Sequence, residues 1–301
     1  MEPRFLQAQK RLLNKPLPRL PNRLTTSMTL KNGLSEELNR QGNEHFGRGH
    51  YTDAYTCYAK ALECDRLTGD QRALAATLGN LGNICAVSGR RQAAQTYYQE
   101  VLELQKIFGD EKGIGTTLAN LGNLRADAGE WDRAKAYYLE ALDLMMKTHD
   151  EAAKAVLFSD LGLIAREQGQ FHEAIAYYEK SMLLMRRLGN DGGVADAWRM
   201  MGRTFLLQQR FDDAVACGQT SQSIAERFRD ELRTGGARYL LADCYEAMGR
   251  VEEAAQLLEL VVAMDCKYQL PKLEENIRRL HTLRERLSND ASQEAARESH
   301  G

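Results

Sequence analysis

The sequence predicts an all-α fold, a right-handed solenoid of six helix-turn-helix repeats closed by a capping helix. One offset of 40 residues aligns most of the chain without insertion or deletion. Gly42, Gly82, Gly122, Gly162 and Gly202 share one register, with Ala242 in the sixth place, and Ala54, Ala94, Ala134, Ala174, Ala214 and Ala254 share another. Gly49, Gly89, Gly129, Gly169 and Gly249 form a third series, interrupted by Gln209, and Tyr58, Tyr98, Tyr138 and Tyr178 a fourth.

Taken in chain order, residues 1–34 form a basic arm. Arg4, Lys10, Arg11, Lys15, Arg19, Arg23 and Lys31 face a single Glu2, so the arm is +6 and the remainder −8. Its prolines at 3, 16, 18 and 21 oppose a long helix and predict a solvated, poorly ordered leader. An acidic surface, nucleic acid, anionic lipid or a transit-peptide role are the alternative readings of such a charge run.

Six repeats follow, at 35–70, 71–110, 111–150, 151–190, 191–230 and 231–264. Small residues at the 42- and 54-type positions let paired helices approach within 8–10 Å. The 49-type glycine ends the first helix, where a left-handed cap is needed. Leu78, Leu81, Ile84 and Cys85 in one helix, and Ala94, Tyr97, Tyr98, Val101 and Leu102 in the next, keep 3–4 spacing. Both helices are therefore amphipathic and must stack on neighbours to bury their stripes. In 265–287, Pro271 can start a helix whose Leu273, Ile277, Leu280, Leu283 and Leu287 cover the last repeat, and 288–301 is expected to be a mobile tail.

Composition narrows the function. With 43% hydrophobic and 27% charged residues the chain is a core former, and it shows neither an apolar run long enough to span a membrane nor the apolar run of a secretory signal, so neither a membrane span nor export is expected. A cytoplasmic protein is expected, its cysteines (57, 64, 85, 217, 244, 266) reduced and without C-x-x-C pairs, its six histidines scattered. No metal and no cofactor are expected. No phosphate loop, His-Glu-x-x-His or Gly-x-Ser-x-Gly is present, which argues against an enzyme. The acidic repeat body, with its aromatics at core positions, argues against nucleic acid. A polar outer face fits a monomer, with a weak dimer left open.

Repeats two to four, in Leu78…Leu81-Gly82…Gly89…Ala94…Tyr98 and Leu118…Leu121-Gly122…Gly129…Trp131…Ala134…Tyr138, resemble the tetratricopeptide repeat family. The resemblance weakens where Gly218 and Leu258 replace the tyrosine. Each repeat is six residues longer than the family's common form and closes with Gly69-Asp70, Gly109-Asp110, His149-Asp150, Gly189-Asn190 or Arg229-Asp230, the extra length being expected in the second helix. This long form is similar to the repeats of kinesin light chains, Pins/LGN adaptors and Rap-type regulators, which bind peptides and proteins. The resemblance implies a scaffold or adaptor that holds an extended peptide in a concave groove lined by first helices. A peptide-sensing regulator whose superhelix changes pitch is the alternative.

The candidate contacts are first-helix polar residues. Asn80 and Asn120 lie one repeat apart, Asn83 and Asn123 likewise, with Asn43 and Asp160 extending the two rows. An amide offers one acceptor and two donors and can hold a peptide by its backbone; bonding to a neighbouring repeat or a turn carbonyl is the competing use. Arg166, Arg199 and Arg203 make the later part basic and suit an acidic ligand segment, or else pair with Glu167, Asp196 or Asp212. The carboxylate clamp that some of the family use for chaperone tails is matched at Asn43 and Asn80 but not at Asn39, Thr116 and Asn120.

Overall fold

A computed structural model describes the backbone of residues 22–298 and the side chains of residues 33–289. Among the described residues there are thirteen helices and no strand. The chain divides into two compact units, residues 1–110 and 111–301. The first holds α1 (Asn22–Gly47), α2 (Tyr51–Thr68), α3 (Gln71–Val87) and α4 (Arg91–Phe108). The second holds α5 (Glu111–Ala126), α6 (Trp131–Lys147), α7 (Glu151–Glu167), α8 (Phe171–Arg187), α9 (Asp191–Leu207), α10 (Phe211–Arg227), α11 (Glu231–Ala247), α12 (Val251–Tyr268) and α13 (Leu273–Glu298). Within each unit, consecutive helices pack as antiparallel neighbours, two to a repeat.

The glycine and tyrosine registers are two halves of one contact. A Cβ at Gly82 would lie 2.5 Å from Tyr98 Cε1, and one at Gly122 or Gly162 would lie 2.6 Å from the same atom of Tyr138 or Tyr178. Gly42 and Tyr58 meet in the same way. The second-helix ring thus lies directly on the first-helix backbone, and only glycine leaves room for it. Where the ring is missing, the site is refilled. In the fifth repeat Leu240 of the next repeat reaches Gly202, while Leu241 covers Gly218 in the place of the tyrosine. The sixth repeat has Ala242 and Leu258 at the glycine and tyrosine positions, and both are fully buried.

The turns agree with the predicted caps. Gly49, Gly89, Gly129, Gly169 and Gly249 have φ between 73° and 77°, and Gln209 adopts φ 60° in the one repeat without a glycine there. Between repeats, Asp70, Asp150, Asn190 and Asp230 cap the following helix by accepting backbone N–H groups through their side chains. From α3 to α12 the first helices have 16 or 17 residues and the second helices 17 or 18, so the extra repeat length is shared rather than confined to the second helix.

Three expectations at the chain ends change. Helix α1 begins at Asn22, inside the segment assigned to the arm, and the remaining arm residues 1–21 lie outside the described residues. Helix α13 continues through Glu298, so most of the supposed tail is helical. On α13, Leu280 and Leu283 pack into the Val251, Leu258 and Val261 cluster as predicted, but Ile277 is 47% exposed, and Asn276 is buried in its stead.

Gly82→Ala is expected to lower the unfolding midpoint, since forcing a methyl into the Tyr98 ring costs about 1–3 kcal/mol and outweighs the helix-propensity gain of roughly 1 kcal/mol. Gly79→Ala on the same helix, where a Cβ meets nothing within 4 Å, should raise it. Urea denaturation followed by circular dichroism checks both.

Candidate functional site

The two asparagine rows have different surroundings. Tyr58 donates its hydroxyl to Asn43 Oδ1 at 2.7 Å, Tyr98 to Asn83 at 2.7 Å and Tyr138 to Asn123 at 2.6 Å. The ring that rests on the glycine therefore ends on the asparagine one position further along, and burial pushes the Tyr98 hydroxyl up to about 12. This partner is neither a ligand nor a neighbouring repeat. It uses the acceptor half of each amide and leaves the NH2 donors, with Asn43 and Asn123 exposed and Asn83 half-buried. In the fourth repeat Leu163 replaces the asparagine, and the Tyr178 hydroxyl is buried without a partner.

In the other row, Asn80 Nδ2 donates to Asn39 Oδ1 at 3.0 Å, and Asn39 Nδ2 donates to Thr77 Oγ1 at 2.7 Å. Thr77 and Ser35 both donate to the fully buried Asp65 carboxylate, at 2.6 and 2.5 Å. Asn80 is thus the outer end of a polar chain that ties α1, α2 and α3 together. Asn120 and Asp160 are half-buried on α5 and α7, and burial raises the Asp160 carboxyl to about 6.

The arginines separate likewise. Arg166 pairs with Glu167 at 2.7 Å and its side chain is only 11% exposed. Arg199 reaches Asp196 at 3.4 Å, while Asp196 also accepts from Arg233 at 2.9 Å. Arg199 and Arg203 stand one turn apart on α9 and line a cavity of about 310 Å³ between α9, α11, α12 and the start of α13, together with Gly236, Tyr239, Asp265, Lys272 and Asn276. Lys272 Nζ lies 5.2 Å from the Tyr239 ring centroid on the cavity side, while the Arg279 guanidinium, 5.4 Å from the same ring, is paired with Asp243 at 2.7 Å and Glu246 at 2.6 Å. Asn276 is 1% exposed; its Nδ2 donates to the buried Asp265 at 2.7 Å, and its Oδ1 has no partner. A buried carbonyl oxygen without a donor costs about 1–3 kcal/mol, which a ligand N–H would recover.

Tyr239, Lys272 and Asn276 were not among the sequence candidates. One signal was present: Gly235-Gly236 in mid-helix, where each glycine costs about 1 kcal/mol relative to alanine. Met264 packs against Gly235 and forces it, but a Cβ at Gly236 would only touch the Arg199 side chain at 3.4 Å. Packing therefore does not demand Gly236, which opens the cavity floor. Elsewhere, burial raises the Cys217 thiol to about 11 and Cys244 to about 12, which holds both as packing groups rather than nucleophiles. No described helix is long and apolar enough to cross a membrane.

The tetratricopeptide repeat family matches residues 38–107, 73–147, 113–187, 153–227 and 193–267. No curated protein matches the sequence. Among solved structures, BtubC (BKLC) from P. vanneervenii is 18% identical with a TM-score of 0.60, covering 77% of this chain and 92% of that one. A Rap protein complexed with competence and sporulation factor is 14% identical with a TM-score of 0.61, over 84% of this chain and 75% of that one. A putative kinesin light chain with nearly identical TPR-like repeats, from Podosopora anserina, is 18% identical with a TM-score of 0.52, over 64% and 96%. At these identities the likeness is one of fold.

Tyr178→Phe is expected to leave stability unchanged or to raise it by up to about 1 kcal/mol, whereas Tyr98→Phe, which breaks the bond to Asn83, should cost about 0.5–1.5 kcal/mol. Denaturation midpoints compare the two. Asp160→Asn should stabilise the protein above pH 6 and do nothing below pH 4. The folded-state pKa is raised, so stability present when both states are protonated is lost as pH rises through about 6. Melting temperatures of both proteins across that range provide the check.

Proposed function

The chain belongs to the tetratricopeptide repeat family, and from that premise we propose that it is a non-catalytic scaffold that binds an extended segment of another protein on the first-helix faces of its repeats. The observation that carries this reading is the cavity beside α9, where cationic side chains, an aromatic wall and an unpartnered buried amide oxygen converge. That set suits a polypeptide with an acidic side chain next to an apolar one. Arg199 and Arg203 take the carboxylate, Tyr239 and its apolar neighbours the hydrocarbon, and Asn276 Oδ1 a backbone N–H. The NH2 groups of Asn43, Asn83 and Asn123, and the Asn120 amide, supply main-chain contacts elsewhere on the first helices, while Asn80 and Arg166 act within the fold.

A peptide sensor that closes on its ligand is the second reading, favoured by the fold shared with the Rap protein solved with competence and sporulation factor. Small-angle scattering separates the two: a sensor contracts on binding, an adaptor keeps its radius of gyration.

The test is fluorescence anisotropy with labelled peptides that alternate Leu and Glu, against controls that alternate Leu and Gln. Wild type is expected to prefer the acidic set, and Arg199→Glu with Arg203→Glu to lose that preference by about tenfold or more at unchanged helicity, the worth of one or two desolvated charge contacts. Equal binding of both sets, or an unaffected double variant, overturns the assignment.

A further inference from the structure

The turn between α1 and α2 brings together three side chains that the linear sequence presents as unrelated. The corresponding residues of the fifth and sixth repeats show what this place is built for. There the last turn of the first helix carries an aromatic ring, the residue just before the second helix an arginine, and the first turn of the second helix an acid. Arg210 lies 4.5 Å from the Phe205 centroid and donates to Asp213 at 2.7 Å; Arg250 lies 4.4 Å from the Tyr245 centroid and donates to Glu253 at 2.9 Å.

In the first repeat the same three places hold His45, His50 and Asp53. Each position of a ring-cation-acid stack has become a metal-ligating residue. The imidazole centroids are 6.0 Å apart, and one ligand atom from each of the three residues lies within 4.8 Å of the others. The backbone holds this spacing, because Gly49 is left-handed at φ 77° and its N–H donates to the Phe46 carbonyl at 2.9 Å, while the His50 N–H donates to the His45 carbonyl at 2.9 Å.

A second observation points to a ligand. The Nδ1 atom of His45 is buried and has no hydrogen-bond partner. The Phe205 and Tyr245 rings put carbon there, so the exchange to histidine adds an unsatisfied nitrogen that the stack itself does not need. A metal ion bound through that nitrogen removes the deficit.

We propose that His45, His50 and Asp53 form a binding site for a divalent transition metal, with zinc the best match to two imidazoles and one carboxylate. Zinc–ligand bonds of about 2.0–2.2 Å hold the donors closer together than the 4.8 Å that bounds them here. His50 and Asp53 are exposed and can rotate, while half-buried His45 provides the fixed point. Three protein ligands leave a fourth position for water or for a side chain of a bound partner. The ion would staple the ends of α1 and α2 across their turn, and it is independent of the cavity beside α9.

Zinc titration of the full chain by isothermal calorimetry, with cobalt as a spectroscopic reporter, tests the proposal. His45→Phe and His50→Arg each place the fifth repeat's residue at that position, so both variants should fold, which far-ultraviolet circular dichroism checks. Wild type is expected to bind one zinc ion at this site and to gain thermal stability on binding. Each variant is expected to lose affinity by about tenfold or more and to lose the stability gain. Unchanged affinity in both variants overturns the proposal. A cobalt spectrum dominated by thiolate charge transfer overturns it too, since that would place the ion on cysteines such as Cys57, Cys64 or exposed Cys266.

Discussion

The contact between a tyrosine ring and a glycine Cα sets the distance between paired helices, and the remaining features of the repeat follow from it. The ring can lie flat on the first helix only because no Cβ intervenes, and the close approach brings Ala54-type residues of the second helix to complete burial. The hydroxyl at the far edge of the ring then emerges at the first-helix face, where an asparagine accepts from it. One residue type thereby fixes helix spacing in the core and the orientation of a polar side chain at the surface.

The fifth and sixth repeats depart from this arrangement, and the cavity lies beside them. With Gly218 in place of tyrosine, the leucines of α11 fill the space in the fifth repeat, and in the sixth Leu258 itself is buried at the ring position. The asparagine position of the first helix, already Leu163 in the fourth repeat where Tyr178 remains, becomes Arg203 in the fifth repeat and Asp243 in the sixth. Helix α13 supplies the last wall and presents Asn276 to the interior where an apolar residue would have sealed it.

Buried polar groups recur at matching registers. Asp65 and Asp265 occupy the same place five repeats apart, both are buried, and both are bonded to side chains of the following or flanking helix. Asp65 is satisfied by two hydroxyls, and the network runs outward to Asn80. Asp265 is satisfied by Asn276, whose own oxygen is left over. The closed network is a structural tie, while the open one leaves a buried acceptor without a donor. The Tyr138 and Tyr178 rings show the same contrast, one with an asparagine acceptor and one without.

Periodicity in the sequence determined the helices, their pairing and the left-handed turns, because a 40-residue register of glycine, alanine and tyrosine has a single packing solution. It also marked Arg199 and Arg203, since a change of residue type along a repeated position is visible without coordinates. What each polar side chain does was decided by tertiary structure. A linear pattern does not reveal that Tyr98 reaches Asn83, that Asn80 belongs to the Asp65 network, or that Asn276 rather than Ile277 faces inward, because each depends on the rotation of one helix against another. The meeting of His45, His50 and Asp53 has the same origin: a left-handed glycine folds residues five and three apart onto one side of a turn, and their shared place becomes evident only beside the ring-cation-acid stacks of the later repeats.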